Sequence, residues 1–516
     1  MDRILILDFG GQTTQLIGRR IRDFGVYSEI APGTSEIADI LTPDVKGIIL
    51  SGSPHSSWEE GTPQPDPALF DCGLPLLGIC YGFHQITRFD GGVVKPLPHR
   101  EYGRSQVQVV QNDPLFEGIE APFDSWMSHG DSVDAPGRNH DVIAVSENGV
   151  PAAIAHRDKM IRGVQFHPEA SHCEHGTKIL ENFAVGICGC QRQWTLEQYI
   201  ERQRSELQQQ AAEKDVLLLI SGGVDSTVAA ALLLKALPAE RVWLMYVDTG
   251  MMRKGESDEV AKNLKALGAK NLLLIDAKDR FLQPLSGVED PEKKRKLIGD
   301  AFIRVQEEEV AKHLPPGYLL AQGTLYTDLI ESGMGVGKNA QVIKSHHNVG
   351  TPLVRAKRDA GELIEPLDQL YKDEVRRLGL MLGVDPAIVH RHPFPGPGLA
   401  IRILSDITEE KLEILREADA IYISELRQRG LYDQIWQAFS VLLPVRSVGV
   451  TGDARDYGFV LGLRAVTSSD GMTADVYDFP TKDLLEISAK ITNSVKQIGR
   501  VVYDISSKPP ATIEWE

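Results

Sequence analysis

The stretch Ser221-Gly222-Gly223-Val224-Asp225-Ser226 constrains this chain more than any other, because of what flanks it. Before it, Val216 to Ile220 is an unbroken aliphatic run that reads as a buried parallel strand. After it, Thr227 to Leu237 is rich in Ala and Leu and free of Gly and Pro, which predicts a helix. A strand, a Gly-Gly turn and a helix in that order let backbone N–H groups approach an anion closely, and the helix dipole adds attraction. The pattern is a phosphate cradle, set against the plain alternative of an ordinary strand-to-helix turn. It lacks the Gly-Lys-Ser/Thr ending of a kinase-type P-loop, since no lysine follows.

With those residues in that context, the stretch resembles the pyrophosphate loop (PP-loop) of enzymes that split ATP into AMP and pyrophosphate. Composition sets the frame around it. A chain of 516 residues holds about three domains. The 55 basic and 72 acidic side chains leave a formal charge of −17, which argues against nucleic acid or an anionic membrane as partner. No apolar run approaches a membrane span, and Met1-Asp2-Arg3-Ile4-Leu5 has no signal-peptide layout. Five cysteines, a low and odd number, suit a reducing cytoplasm better than a disulfide framework.

Strands and helices alternate from residue 1 to about 190, with strands at Ile4–Leu7, Gly47–Leu50 and Leu74–Ile79 and a helix from Thr13 to Phe24. The alternation predicts a doubly wound α/β sheet with ligands at the carboxyl ends of its strands. Thr195 to Lys214 reads as a polar linking helix. A second doubly wound domain follows to about 395, with strands at Val216–Ile220, Val242–Val247, Asn271–Ile275 and Tyr318–Ala321. Pro393-Phe394-Pro395-Gly396-Pro397-Gly398 punctuates its end. Residues 396–516, with a helix from Glu409 to Arg427 and a strand-like run from Phe459 to Val466, predict a smaller α+β domain. The expected domains are therefore 1–190, 191–395 and 396–516.

The first of these carries a nucleophile. Gly78-Ile79-Cys80-Tyr81-Gly82 follows a buried run, and small residues flanking a nucleophile by one position are what a strained strand-to-helix elbow requires. A helix N-terminus favours a thiolate and supplies an oxyanion-binding N–H. His167-Pro168-Glu169 offers a general base with a carboxylate to orient it. The turn Ser51-Gly52-Ser53-Pro54 adds a second oxyanion donor. The rival readings are a structural core cysteine, or a zinc site from His167, His172, Cys173, His175, Cys188 and Cys190. The Cys188-Gly189-Cys190 spacing does not fit the paired Cys-x-x-Cys of zinc sites.

Together with Ser128-His129-Gly130-Asp131, these motifs resemble a class I glutamine amidotransferase domain over residues 1–190. The resemblance implies a Cys80–His167–Glu169 triad that hydrolyses glutamine through a thioester, with Gly52, Tyr81 and His84 at the oxyanion and glutamine site. His84 departs from that family, which usually has glutamine there.

Ammonia needs an activated acceptor, and an AMP-forming loop supplies one. Gln322-Gly323-Thr324-Leu325-Tyr326, Ile343-Lys344-Ser345-His346-His347-Asn348, His392 to Leu399 and the tail Lys508 to Glu516 make the whole chain resemble the glutamine-hydrolysing GMP synthetase family. That resemblance implies that xanthosine 5′-monophosphate (XMP) is adenylylated at its 2-oxygen and that ammonia then displaces AMP. It implies that Ser221, Gly222, Gly223, Val224, Asp225, Ser226 and Thr227 bind ATP, with Mg²⁺ held through the phosphates and Asp225. It places XMP at Arg295, Asp453, Lys508 and Glu514, with Lys508 at the phosphate and Glu514 at the purine edge. Thr351 and Gly471 depart from the family pattern. The short C-terminal segment implies a homodimer through residues 396–516. The charged run Pro291 to Lys296 reads as a solvated helix start or a mobile lid over phosphates. Asparagine synthetase, tRNA-thiolating enzymes and CTP synthetase each lack a feature this chain has or need one it lacks. A degenerate homologue that uses only free ammonia, or a regulatory binding protein, is the alternative that His84 raises.

Overall fold

A computed structural model of the chain describes residues 1–331, 352–451, 454–468 and 473–516. Asp453, Thr351, Gly471 and the stretch Ile343 to Asn348 lie outside the described residues. The chain divides into two units, Met1–Arg202 with Tyr326–His347, and Gln203–Leu325 with Asn348–Glu516.

In the first unit, strands β1 (Arg3–Asp8), β2 (Tyr27–Pro32), β3 (Val45–Leu50) and β4 (Leu76–Ile79) are parallel, and β9 (Ile161–Val164) joins them beside β4. The antiparallel strands β5 (Val93–Val109), β6 (Phe123–Ala135), β7 (His140–Ser146) and β8 (Pro151–His156) extend the sheet, giving the order β2-β1-β3-β4-β9-β8-β7-β5-β6. Ile4 to Leu7 are buried on both faces, as a central parallel strand requires. Helix α1 (Thr14–Asp23) follows β1 and α2 (Tyr81–Phe89) follows β4. The strand order reverses between β1 and its two neighbours, which opens a crevice at the carboxyl ends of β1, β3 and β4.

Helix α3 (Leu196–Ala211) is the polar linking helix. In the second unit, β10 (Val216–Ile220), β11 (Val242–Asp248), β12 (Asn271–Asp276), β13 (Leu319–Ala321) and β14 (Leu363–Ile364) form a parallel sheet in the order β12-β11-β10-β13-β14. Here the reversal falls at β10, whose carboxyl end leads into the glycine turn and α4 (Val224–Ala236). Helices α5 (Pro291–His313), α6 (Lys372–Met381) and α7 (Glu409–Gln428) follow. The C-terminal sheet pairs β15 (Gln437–Thr451) with β16 (Ala454–Thr467) antiparallel, and β17 (Asp475–Val476) and β18 (Ile498–Tyr503) both pair with β16. Helix α8 (Thr481–Ser494) lies between those last two strands in sequence. One apolar core joins Met251, Phe281 and Ile298 to Leu399, Leu412 and Leu461, so it runs through both sides of the Pro/Gly-dense punctuation.

The charged run at Pro291 is the first turn and a half of α5. Pro291 occupies the first helical position, and Asp290 caps the helix by accepting from the Lys293 N–H at 2.7 Å. Lys294 departs from the solvated reading. Its side chain is fully buried, and its ammonium donates to the Ile403 carbonyl and the Glu516 carboxylate, each at 2.7 Å. Two more fully buried cations hold the same tail. Arg402 grips Glu514 with two hydrogen bonds of 2.7 and 3.1 Å, and Arg464 donates to the Ser506 carbonyl. Removing one partner of a buried pair strands the other charge, so Glu516→Ala is expected to lower the stability of the second unit by about 3 kcal/mol. The measurement is the urea midpoint at unchanged slope; an unmoved midpoint would mean that Lys294 finds another acceptor.

Candidate active sites

The first crevice assembles from three strand ends. The loop after β3 brings Ser51 and Gly52, β4 delivers Cys80, and β9 runs on into Gln165, Phe166 and His167. Cys80 has φ +52° and ψ −98°, a backbone that L-residues rarely adopt, and it caps the N-terminus of α2. Its own N–H donates to the Val164 carbonyl at 2.8 Å, which locks the elbow to β9. The flanking glycines are required by space. A Cβ on Gly82 would lie 2.3 Å from the Leu50 carbonyl oxygen, and one on Gly78 would lie 2.4 Å from the Gly82 backbone. The Tyr81 N–H, at the first turn of α2, has no carbonyl four residues back within the helix and is free to meet an oxyanion. A Cβ on Gly52 would stand 3.4 Å from His167 Cε1 and 4.0 Å from Cys80 Cβ, so the Gly52 backbone sits against both.

His167 is buried, hydrogen-bonded to Cys80, and its Nδ1 lies 2.7 Å from Oε1 of the fully buried Glu169. Burial works against the imidazolium, but Glu169 and Cys80 outweigh it and hold His167 well above its ordinary range. Thr13, at the N-cap of α1, donates to the same Glu169 oxygen at 2.6 Å and fixes the carboxylate. The cysteines of the zinc alternative go elsewhere. Burial pushes the thiols of Cys173 and Cys190 up to about 12, and Cys188 packs against Gly47. Among the described residues no group of three His, Cys, Asp or Glu could hold a metal ion.

The second crevice is the turn after β10. Gly222 has φ +79°, which only glycine adopts cheaply. The Gly223 N–H donates to the Ser221 hydroxyl oxygen at 3.3 Å, and Thr227 Oγ1 donates to the Gly223 carbonyl at 2.8 Å. The first amides of α4 thus point past a rigid turn, the geometry that receives a phosphate. Lys372, at the start of α6, places its ammonium 2.5 and 2.6 Å from the two Asp225 oxygens. Gly323 backs onto the turn, since a Cβ there would lie 3.1 Å from the Asp225 carbonyl carbon. At the end of β11, Asp248 accepts from the Gly250 N–H and the Ser257 hydroxyl.

Three family models match in succession. Glutamine amidotransferase class-I covers residues 5–187, NAD synthase 195–291, and GMP synthase C terminal domain 424–515. A putative glutamine-hydrolysing GMP synthase of Halalkalibacterium halodurans is 51% identical over 515 residues, 100% of this chain and 99% of that one. The GMP synthases of Geobacillus kaustophilus, 50% identical over 515 residues, and Caldicellulosiruptor saccharolyticus, 49% over 513, each match over 99% of their own length and cover 100% and 99% of this chain. The chain belongs to the glutamine-hydrolysing GMP synthase family. It is a ligase that carries out glutamine-dependent GMP synthesis with an amidotransferase domain and an ATP-using domain.

Of the residues the sequence singled out, Gly52, Tyr81, Cys80, His167 and Glu169 converge on the first crevice, and Ser221 to Thr227 form the second. His84 turns into a buried layer behind Cys80, where its Nε2 meets Gln165 Oε1 at 2.8 Å. Glu514 is held by Arg402 and by the Gln437 amide at 2.7 Å, and Gln437 also donates to the Pro393 carbonyl. Burial raises the Glu516 carboxyl above its ordinary range, against the opposing pull of Lys294 and of nearby Arg295. Thr13, Lys372 and Gln437 were not visible as site residues in the sequence. Each meets its partner from far along the chain.

Among the described residues no helix is long and apolar enough to cross a membrane.

Proposed function

We propose that Cys80, His167 and Glu169 release ammonia from glutamine, and that the turn Ser221–Thr227 activates XMP with ATP to receive it. The observation that carries this reading is the joint presence of the strained Cys80 elbow on a His167–Glu169 pair and an open phosphate cradle in the same chain. Cys80 Sγ attacks the carboxamide carbon while the Gly52 and Tyr81 N–H groups take the oxyanion. His167, carrying the thiol proton, returns it to the departing ammonia and leaves a thioester. Water, deprotonated by His167, then releases glutamate. Glu169, anchored by Thr13, keeps the His167 proton at Nδ1 and stabilises the imidazolium.

In the second unit the XMP 2-oxygen attacks the ATP α-phosphorus and pyrophosphate leaves into the Gly222–Ser226 amides. The ammonia electron pair then attacks the purine C2 and AMP departs, giving GMP. A Mg²⁺ ion held beside the triphosphate would offset its negative charge. Asp225 would be the carboxylate to hold it, exchanging its contact with Lys372, in keeping with the one or two carboxylates that Mg²⁺ uses beside phosphates. Glu514 offers a fixed acceptor to the purine edge, and Arg295 and Lys508 supply positive charge. Asp453 lies outside the described residues.

The domains assigned to these roles are 1–190, 191–395 and 396–516. A homodimer through the last of them is supported by the β15–β16 hairpin, which exposes Val445, Val448, Val450 and Tyr457. Five free cysteines suit a cytoplasmic setting.

Lys508→Ala is expected to raise the XMP KM by about tenfold or more, since charge-assisted hydrogen bonds are worth about 1.5–3 kcal/mol. Glutaminase activity and the ATP KM are expected to stay unchanged. An unaltered XMP KM would remove Lys508 from the phosphate site.

A further inference from the structure

Behind Cys80 lies a buried polar layer that the triad does not use. His84 and Gln165 are 4% and 1% exposed, and their side chains meet at 2.8 Å. The Gln165 amide nitrogen lies 3.8 Å from Cys80 Sγ, within reach of an N–H···S bond. The Gln165 backbone is pinned by a 2.8 Å bond to the Ala152 carbonyl, and His84 sits on α2 with its N–H on the Cys80 carbonyl at 3.1 Å. A thiolate needs donors. Turning the Gln165 amide N–H toward sulfur sends its oxygen to His84, which must then carry its proton on Nε2.

We propose that Gln165 is a positioning residue for the nucleophile, donating to the Cys80 thiolate as a second partner beside His167, and that His84 orients it. This rests on the reading of Cys80 as the glutaminase nucleophile.

The groups that face this cluster are His167 with Glu169 behind it, and His129 and Asp131 beside His84; Glu101 lies 3.1 Å from His129 Nε2. Burial pushes His84 down to about 4, against the hydrogen bond to Gln165. His84 therefore stays neutral wherever the enzyme works, and it serves as a donor whose charge does not compete with the imidazolium of His167. Histidine at this position acts through Gln165, whose amide oxygen its Nε2 meets at 2.8 Å.

The test is the pH dependence of Cys80 alkylation by iodoacetamide in the full chain, read by mass spectrometry of the Cys80 peptide. Protection of the wild-type thiol by glutamine first checks the nucleophile reading itself; its absence would sink that reading and with it this one, whereas protection with unmoved variant midpoints would sink this one alone. Gln165→Leu is expected to move the alkylation midpoint upward by about one pH unit, and Gln165→Glu, which sets an acceptor beside sulfur, further upward. His84→Leu is expected to give a smaller shift in the same direction, and His84→Gln to restore the wild-type midpoint. In a Gln165→Leu background, His84→Leu should add nothing. Thermal unfolding of each variant at the wild-type midpoint reports that its first unit is folded. Midpoints that stay at the wild-type value in both Gln165 variants would overturn the proposal, as would a His84→Leu shift that persists without Gln165.

Discussion

Cys80→Ala is expected to abolish glutamine-dependent GMP formation, by about 10³-fold or more, and to leave ammonium-dependent synthesis at the wild-type rate. The sulfur is the group that forms the thioester, and no other side chain at the first crevice can replace it. His167 would retain Glu169 but have no thiol proton to move. The phosphate turn, in the other unit, contains none of these residues. Free ammonium should therefore still reach the activated purine. Initial rates of GMP formation with each nitrogen donor read both halves of the expectation. If ammonium-dependent synthesis falls in parallel, the division of labour between two sites is wrong.

Lys372→Ala is expected to have the converse effect. Synthesis should fall by about 10²–10³-fold with either nitrogen donor, while glutamine hydrolysis persists. Lys372 holds both oxygens of Asp225 at the mouth of the turn, and incoming phosphates would draw the ammonium away from that carboxylate. Without it, the triphosphate would lose that cation at the turn. Synthesis at the wild-type rate in this variant would reduce Lys372 to a counter-ion of the empty turn.

Much of both crevices was legible in the sequence because their chemistry is local. The elbow needs small residues at 78 and 82, the cradle needs Gly222, and His167 carries its partner Glu169 two positions on. The residues that complete the sites were harder to read because the chain brings them from a distance. Thr13 reaches Glu169 across 156 positions and Lys372 reaches Asp225 across 147, so neither has a spacing to recognise. Gln165 did have a local sign. It follows directly on β9 and stands two positions before His167, close to the motif that carries the base. The charged run from Pro291 to Lys296 misled in one respect. Charge density predicts solvent, and the tail's Glu516 with the Ile403 and Ala400 carbonyls explains how Lys294 can be fully buried. The antiparallel half of the first sheet also escaped the alternation pattern, because β5 to β8 run from hairpin to hairpin with no intervening long helices.

The central claim is that one chain couples glutamine hydrolysis to an AMP-forming activation of XMP. Its most direct test is the nucleotide balance of the purified protein supplied with XMP, ATP, Mg²⁺ and glutamine. One AMP and one pyrophosphate should appear for each GMP and each glutamate, and ammonium should replace glutamine without changing the nucleotide products. ADP and inorganic phosphate in their place would contradict the assignment of Ser221–Thr227 and the account built on it.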